Sequence, residues 1–386
     1  MVWILRRPDQ FLHPYIWDEE FLILNRFQQH GLLAAIMAHN QGYFLWPTSI
    51  SVAMAAAVSF EHLPRIEYLL CTAWFLATMC LILIPHSPFR LRWRIGFVVL
   101  MVLAPMNPEV FGVALYSFWW TSLWPLISLI WSKENWGLRV PVLILGGMSS
   151  LAGAALVVPY AFMFATTRQR RYLAGTVILA IVAVVQTLTY LTSTRSGGSL
   201  NAVKIFFQEL HNFSDYALTW LRPSDSNFLD LAGATILLGI CIAIVHSALA
   251  RNTRHIRTIV ALAIGLVIMG ILSAAPAPLI SDPIAAGPRY YFLPFVLLGW
   301  VLLMVVATTE LRWAKVAGTI LIGISLLTLT QSFSRHEVKV SWSAQLSACK
   351  TATGTFYVPV QYDGVTSQMW KHSLIITAAT CRSLGM

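Results

Sequence analysis

Three consecutive carboxylates, Asp18, Glu19 and Glu20, follow Trp17 and precede the stretch FLILNRFQQHGLL, whose pattern predicts a helix lying along a membrane. A carboxylate held at a membrane surface could act as a general base on a hydroxyl nucleophile. Acids at the start of a helix also cap it and interact favourably with its dipole. The residues alone leave both roles open.

A fourth acid, Glu109, lies between a short and a long apolar stretch, in PMNPEVFGVALYSFWW. The preceding Pro108 predicts that Glu109 lies in an early turn of the following helix, where capping is one role. The aromatic run that includes Trp119 places this acid at the mouth of a helical bundle. Ionisable groups at that depth are candidates for function.

Arg289 opens a later apolar stretch, in GPRYYFLPF. Its planar guanidinium could bind a phosphate group, as a lipid-phosphate substrate would require. Interfacial snorkelling beside Tyr290 is the alternative. Motifs of zinc proteases, serine hydrolases and nucleotide-binding proteins do not occur in the sequence. Without a nucleotide-binding motif, an energy-rich substrate would have to be used on the outer face of a membrane, where nucleotides are scarce. The sequence therefore favours a donor substrate that is linked to a lipid.

The amino-acid composition indicates the class of protein to which these candidate residues belong. The 386 residues are 57% hydrophobic and 11% charged, with a mean hydropathy of +0.68. Because soluble domains carry about 25% charged residues, the sequence predicts an integral membrane protein. A cytosolic enzyme and a nucleic-acid-binding protein are excluded on the same ground.

The positive charges concentrate in five short connections between apolar runs, which hold 13 of the 26 Lys and Arg but only two of the 16 acids. Loops rich in Lys and Arg face the cytoplasm. The net charge of +10 therefore indicates membrane orientation rather than an anionic partner. The five connections are 85–94, 133–139, 166–171, 251–257 and 310–315.

Nine apolar runs are long enough to cross or nearly cross a bilayer. They predict an all-α polytopic membrane protein with about 9 to 11 membrane segments, in which 140–165 turns near Gly146 and Gly153. Residues 42–60 are expected to form an interfacial helix or a re-entrant hairpin. The runs are 68–84, 95–105, 111–132, 140–165, 172–193, 231–250, 258–275, 291–309 and 316–333.

These patterns divide the chain into an extracytoplasmic acidic loop with interfacial helices (1–67), a transmembrane helical domain (68–333) and a small extracytoplasmic C-terminal region (334–386). In the last region, KVSWSAQL, GTFYVPVQYDG and HSLIITAAT predict a strand-containing appendage. Cys349 and Cys381 both lie there. Either a disulfide or two free thiols fits the sequence, which gives no geometry.

Five segments, in order, resemble bacterial polytopic proteins of the GT-C glycosyltransferase superfamily and together cover most of the chain. The resemblance implies a GT-C-like helical bundle, a catalytic base in an acidic motif of the first extracytoplasmic loop, and a polyprenyl-phosphate sugar donor. The segments are RRPDQFLHPYIWDEEFLIL, HGLLAAIMAHNQGYFLWP, APMNPEVFGVALYSFWW, MSSLAGAALVVPYAF and GPRYYFLPFVLLGW.

The acidic motif of that superfamily, often Trp-Ala-Glu-Asp-Gly, falls on residues 17–21. Glu19 is thus the implied base, followed by Glu20 and then Asp18, although the alanine and glycine positions are changed. The Gly-Tyr of the next motif includes Tyr43, but the basic residue that often follows it is absent. The helix that precedes the acidic loop in the superfamily is also absent, so we expect that the chain starts outside or that an upstream helix is missing.

The resemblance and the residues together predict a transferase of the bacterial cytoplasmic membrane, with its active site on the extracytoplasmic side. It would move a hexose or pentose from polyprenyl phosphate to a glycan or lipid acceptor. A divalent cation such as Mg²⁺ or Mn²⁺ is a candidate cofactor. A lipid-linked saccharide transporter or flippase, and a polysaccharide polymerase or ligase, are the alternatives. The candidate catalytic residues are Glu19, Glu20, Asp18 and Glu109, and the candidate substrate-binding residues are Arg289, Trp17, Tyr43, Trp119 and Tyr290.

Overall fold

The computed structural model describes residues 1–40, 42–193, 239, 254–274, 288–337, 339, 341–359, 361–362, 365–366, 373–377 and 381. This part of the chain is mostly helical, as predicted. The helices are α1 (Val2–Arg6), α2 (Pro8–Leu12), α3 (Glu20–Ile36), α4 (Trp46–Val58), α5 (Leu63–Leu83), α6 (Leu91–Val102), α7 (Ser117–Thr121), α8 (Trp124–Ile130), α9 (Trp136–Gly147), α10 (Leu151–Ala155), α11 (Val157–Thr167), α12 (Arg170–Thr192), α13 (Arg254–Ala274), α14 (Phe292–Thr308), α15 (Arg312–Ser332) and α16 (Trp342–Thr351).

Short strands form three antiparallel pairs among the described residues. One pair lies near the N-terminus and two lie in the C-terminal region. The strands are β1 (His39–Asn40), β2 (Tyr43–Phe44), β3 (Thr355–Pro359), β4 (Gln361–Tyr362), β5 (Val365–Thr366) and β6 (Ser373–Thr377), paired β1–β2, β3–β6 and β4–β5.

Three helical segments of the described chain are long and apolar enough to cross a membrane, namely α5, α12 and the segment Arg289–Thr308 that contains α14. Shorter apolar helices, among them α4 and α9, pack with them. The apolar helical character expected of a membrane protein is therefore present. The predicted run 231–250 lies outside the described residues, apart from residue 239.

The predicted turn within 140–165 is confirmed. α9 ends at Gly147, and the chain returns through α10 and α11. Close packing explains the glycines, because a Cβ at Gly153 would overlap the carbonyl oxygen of Gly146. The stretch 42–60 contains strand β2, which pairs with β1 (His39–Asn40) to form a hairpin, and a single helix, α4.

Two predictions about boundaries are wrong in detail. Residues 103–113 form a loop, so Glu109 does not lie in a helix, and the first helical turn after it begins at Ala114. The buried side chain of Arg6, in the N-terminal segment, donates hydrogen bonds to the carbonyl groups of Ala104 and Met106 in this loop. In addition, Gly112 has a φ of +72°, which interrupts helical geometry. In addition, α5 begins at Leu63, so the proposed boundary after residue 67 falls inside a helix.

Gly175 of α12 permits close contact with α11. A Cβ at this position would overlap the ring of Tyr160, and the Tyr160 hydroxyl is held by Ser128 Oγ at 2.5 Å and by the Pro125 carbonyl at 3.1 Å. We expect Gly175→Ala to lower the free energy of unfolding by roughly 1–3 kcal/mol. Gly270→Ala in α13 is the control, because nothing lies within 4 Å of its Cβ position. Thermal unfolding in detergent measures both, and equal melting temperatures for the two variants would contradict the packing explanation.

The C-terminal region packs against the connection between α4 and α5. Trp342 donates its indole N–H to the Phe60 carbonyl at 3.0 Å. The segment KVSWSAQL, predicted as part of a strand-rich appendage, contributes to helix α16, because the Ser341 hydroxyl caps the helix by accepting from the Ala344 N–H. The other two predicted segments do contain strands, β3 with β4 and β6.

A disulfide joins Cys349 and Cys381, which settles the alternative that the sequence left open. The two residues are 32 positions apart, and a crosslink over a loop of that size stabilises a folded unit by about 3–4 kcal/mol. We expect Cys349→Ser to lower the melting temperature and to raise sensitivity to proteolysis between the two positions. Alkylation of the denatured wild type should add two further labels after reduction, and an unchanged label count would contradict the bond.

Candidate active site

A cleft with about 660 Å³ of empty space, part of it open to solvent, lies where the N-terminal segment, the β1–β2 hairpin and four helical segments meet. Five of the nine predicted site residues line it, although they come from four distant parts of the sequence. These are Glu19, Tyr43, Trp119, Arg289 and Tyr290. The remaining wall is formed by Leu45, Leu115, Tyr116, Phe118, Ser150, Leu151, Ala152 and Leu272.

Glu19 is the carboxylate of the acidic triplet that faces the cleft. It stands at the N-cap position of α3 and is half-buried. The backbone of α3 therefore fixes its position while its side chain remains in reach of the cleft. This geometry suits a group that must exchange a proton with a bound molecule.

Arg289 lies on the same cleft and is held by a buried acid. Its Nη1 donates to Glu109 Oε1 at 2.6 Å, and its backbone N–H donates to Glu109 Oε2 at 3.4 Å. The Tyr116 hydroxyl donates to the same Oε1 at 3.0 Å. The guanidinium also lies over the ring of Tyr290, 5.0 Å from its centroid. Arg289 therefore presents its remaining donors in a fixed orientation.

Glu109 is buried, and it is not among the residues that line the cleft. Burial raises the pKa of its carboxyl, but the charges of Arg289 and Arg335 and the hydrogen bond from Tyr116 outweigh burial and leave the pKa below its usual value. The carboxylate is thus ionised at neutral pH. This arrangement favours a positioning role for Glu109, through Arg289, over the catalytic role predicted from the sequence.

Glu20 has a structural role, although no side-chain hydrogen bond caps α3. It is buried, and its two oxygens accept from the backbone N–H groups of Trp17 at 2.7 Å and Leu115 at 2.6 Å. Burial raises the pKa of Glu20 to about 8, with a further contribution from the charge of Glu19, against the effect of the two N–H donors. Glu20 therefore joins the start of α3 to the turn that carries Leu115, and it does not reach the cleft.

Asp18 and Trp17 are also buried and are not part of the cleft wall. The Trp17 ring lies 5.8 Å from the ring of Tyr116, and the guanidinium of Arg335 lies 5.9 Å from the Trp17 ring centroid. Trp17 thus supports the cleft from behind. Of the acidic triplet, only Glu19 is directed to the cleft.

The β1–β2 hairpin, which carries Tyr43, is attached to α12 by one side chain. Gln186 accepts from the Phe44 N–H at 2.9 Å and donates to the Phe44 carbonyl at 3.1 Å. Its amide also donates to the Gly147 carbonyl at 3.3 Å, at the end of α9. A buried glutamine within an apolar helix therefore positions one wall of the cleft.

Two adjacent arginines that the sequence reading did not single out fix the loop containing Glu109. Arg6 is fully buried and donates to the carbonyls of Ala104 and Met106, the latter at 2.7 Å. Arg7 pairs with Asp9 at 3.1 Å and donates to the Glu109 carbonyl at 3.1 Å. The RRPD sequence was the available signal, since two cations on a predicted outer surface are unusual.

Arg335, also missed, holds the same loop from the C-terminal side. Its Nη1 donates to the Asn107 side chain at 3.3 Å, and its backbone N–H donates to the Arg6 carbonyl at 3.0 Å. It also pairs with Glu337 at 2.5 Å. The loop 103–113 is therefore held by segments from both ends of the described chain.

The cleft and the cationic connections lie at opposite ends of the bundle. Leu272, near the end of α13, lines the cleft, whereas Arg254 begins that helix, and the intervening length is roughly 27 Å. The segment that starts at Arg289 likewise leaves the cleft and ends at Thr308, just before the connection 310–315. At the end of the bundle away from the cleft, the Ser132 N–H donates to the His86 carbonyl at 2.6 Å. This hydrogen bond joins the connection 85–94 to the residue that precedes the connection 133–139.

Within the part of the chain that the structure describes, no group of three His, Cys, Asp or Glu side chains converges in a way that could hold a metal ion. The expectation of a divalent cation thus has no described ligand set and stays a prediction. In the comparisons with known proteins, no family model, no curated protein and no solved structure matches this chain.

Proposed function

We propose that this protein is a membrane glycosyltransferase that moves a sugar from a polyprenyl-phosphate donor to a hydroxyl of a glycan or lipid acceptor. The observation that carries the proposal is the meeting of Glu19 and Arg289 on one cleft. A half-buried carboxylate is suited to remove a proton, and an arginine with fixed orientation is suited to bind phosphate. Glycosyl transfer from a lipid phosphate needs both groups close to one substrate.

In the proposed reaction, Glu19 takes the proton of the acceptor hydroxyl while the hydroxyl oxygen bonds to the anomeric carbon. The bond between that carbon and the phosphate oxygen breaks, and the electron pair leaves with the lipid phosphate. Arg289 then stabilises the developing negative charge. Attack from the face opposite the phosphate inverts the anomeric configuration.

The character of the cleft wall supports an amphiphilic substrate. Tyr43, Trp119 and Tyr290 contribute aromatic side chains to the wall, and a sugar ring can pack against such side chains. Leu151 and Leu272 add aliphatic surface suited to a prenyl chain. Clefts that bind small molecules combine such apolar walls with a few polar groups that fix orientation.

We further propose a GT-C-like bundle of about 9 to 11 membrane segments in the bacterial cytoplasmic membrane, with the cleft on the extracytoplasmic side. The separation of the cleft from the cationic connections supports this orientation, because Lys- and Arg-rich connections stay in the cytoplasm. A cleft on the outer face has access to lipid-linked sugars but not to cytoplasmic nucleotide sugars.

Deletion of the gene tests the proposal. We expect the host's surface glycans to lose one sugar or branch, and plasmid-borne wild type to restore it. In parallel, membranes containing the protein should consume a lipid-linked sugar extract only when acceptor glycan is present. Translocation of the lipid-linked sugar without any transfer would instead indicate the transporter or flippase alternative, and a change in polymer length alone would indicate a polymerase or ligase.

A further inference from the structure

Tyr116 lines the cleft, although it was not among the predicted site residues. It ends a short 3₁₀ turn in which both backbone polar groups of Leu115 are bonded to side chains of other helices. The Leu115 N–H donates to Glu20 Oε1 at 2.6 Å, and Thr48 Oγ1 donates to the Leu115 carbonyl at 2.6 Å. The backbone next to Tyr116 is therefore fixed from α3 and from α4.

The Tyr116 hydroxyl connects Glu109 to Arg289. It donates its one proton to Glu109 Oε1 at 3.0 Å, so its oxygen accepts from Arg289 Nη1, which lies 3.3 Å away. Nη1 also donates to Glu109 Oε1 at 2.6 Å. Because a terminal guanidinium nitrogen carries two N–H groups, these two contacts use Nη1 completely.

The other edge of the Arg289 guanidinium, formed by Nε and Nη2, makes no hydrogen bond to any described residue. These two nitrogens carry three of the five N–H donors. Both remain accessible, and the Arg289 side chain as a whole is 17% exposed where it lines the cleft. The edge is therefore available to a molecule bound in the cleft.

Two tyrosine rings restrict the plane of this guanidinium. The central carbon of the group lies 5.7 Å from the ring centroid of Tyr116 and 5.0 Å from that of Tyr290. A cation is attracted to an aromatic ring at such distances. The Trp17 ring, 5.8 Å from the Tyr116 ring, supports it in turn. Tyr116 thus contacts Arg289 through both its ring and its hydroxyl.

We propose that Tyr116 is a positioning residue for the phosphate group of the substrate, and that it acts through Arg289. By occupying Nη1 together with Glu109, it leaves the Nε–Nη2 edge to the cleft, where two parallel N–H groups match two oxygens of a phosphate. This role rests on the proposed function, because a lipid-linked phosphate is the ligand. Without the hydroxyl, Nη1 has an unpaired N–H and the guanidinium can turn, so the edge loses its alignment with the phosphate.

Binding of two lipids to the full-length protein in neutral detergent tests this role. Polyprenyl phosphate and polyprenol of the same chain length differ only in the phosphate, so the ratio of their dissociation constants isolates the phosphate contact. We expect wild type to prefer the phosphate. Tyr116→Phe should lower this preference about tenfold and leave the affinity for polyprenol unchanged. A general loosening of the cleft would weaken the binding of both lipids alike and leave the ratio unchanged.

Tyr172→Phe is the matched control, because it removes a hydroxyl from another buried tyrosine that lies outside the cleft wall. Its preference for the phosphate should equal that of wild type. In an Arg289→Lys background, which keeps the charge but lacks the edge, Tyr116→Phe should have no further effect on the ratio. An undiminished effect in that background would refute action through Arg289.

The same measurements separate the role of Tyr116 from the proposed function. If wild type prefers the phosphate and Tyr116→Phe keeps that preference, only the role of Tyr116 is refuted. If wild type binds both lipids equally, the phosphate contact of Arg289 is contradicted, and the proposed function with it. If Tyr116→Phe does not fold, Arg289→Lys decides alone, because an unchanged ratio there would overturn the two-oxygen contact that Tyr116 is proposed to hold.

Discussion

Glu19→Gln should reduce sugar transfer by about 10²- to 10⁴-fold, because a positioned general base contributes a rate factor of that size. Glutamine has nearly the same shape and keeps the N-cap position of α3 occupied, but it cannot accept the acceptor proton. Donor binding does not require this proton, so lipid-linked sugar should still bind. The measurement is transfer from a lipid-linked sugar extract by purified protein in nanodiscs, together with restoration of surface glycans in the deletion strain.

The matched control for Glu19→Gln is Glu61→Gln, which removes one negative charge from an exposed position outside the cleft. This control should transfer sugar at the wild-type rate and restore the glycans. If Glu19→Gln transfers as fast as the control, Glu19 is not the base. If both variants are inactive, the loss reflects charge or folding rather than proton transfer.

Glu109→Gln should lower the free energy of unfolding by roughly 3–5 kcal/mol, because it leaves Arg289 buried without its counter-ion. The side chain of Arg289 is only 17% exposed, so water can replace little of the lost interaction. We also expect transfer to fall, since Arg289 would no longer hold its orientation on the cleft wall. Thermal unfolding and transfer by the purified variant measure the two effects, with Glu134→Gln as an exposed control.

The effect of Glu109 on stability should depend on pH in a defined direction. Since the pKa of the folded carboxyl lies below its usual value, the stabilisation is fully present above the pKa of an unfolded glutamate and is lost as the pH falls through the folded pKa. The difference in melting temperature between wild type and Glu109→Gln should therefore be largest near neutral pH and shrink in acid. A difference that grows in acid would show that Glu109 is not ionised in the folded protein.

Local signals in the sequence were sufficient to predict most of the long helices and to select some of the residues that line the cleft. Long apolar runs predicted α5 and α12, and the glycines of 140–165 predicted the turn after Gly147. The acidic triplet and Arg289 could be selected because charged residues beside apolar helices have few structural reasons to be there. The choice of Glu19 within the triplet came from the resemblance to the GT-C superfamily. The cleft that Glu19 and Arg289 share was not predictable in the same way, since it depends on tertiary packing.

Residues that act over long distances in sequence were harder to assign. The partner of Glu109 is 180 positions away, so an isolated acid after a proline was taken for a helix-start residue. Arg6 was passed over because its partners are backbone carbonyls, which any sequence provides. Helix α16 was missed because the β-branched Val338 and Val340 just before it suggested a strand, whereas the helix begins at the cap Ser341 and contains helix formers such as Ala344 and Leu346. In each case a tertiary or capping contact, which the local sequence pattern does not show, determined the structure around the residue.

The attachment of Arg335 to the loop at Asn107 has a consequence for biosynthesis. The two residues are 228 positions apart, so at translation rates of 5–20 residues per second the loop waits about 10 to 50 s for this partner. During that interval the loop has its contacts with Arg6 and Arg7, and later with Arg289, but not the contact from Arg335. A nascent chain that stalls before α15 is synthesised would already contain Glu19, Glu109 and Arg289, but the loop behind their cleft would lack its contact with Arg335. Synthesis of the segment that follows α15 and carries Arg335 is therefore the step that completes the support of the site.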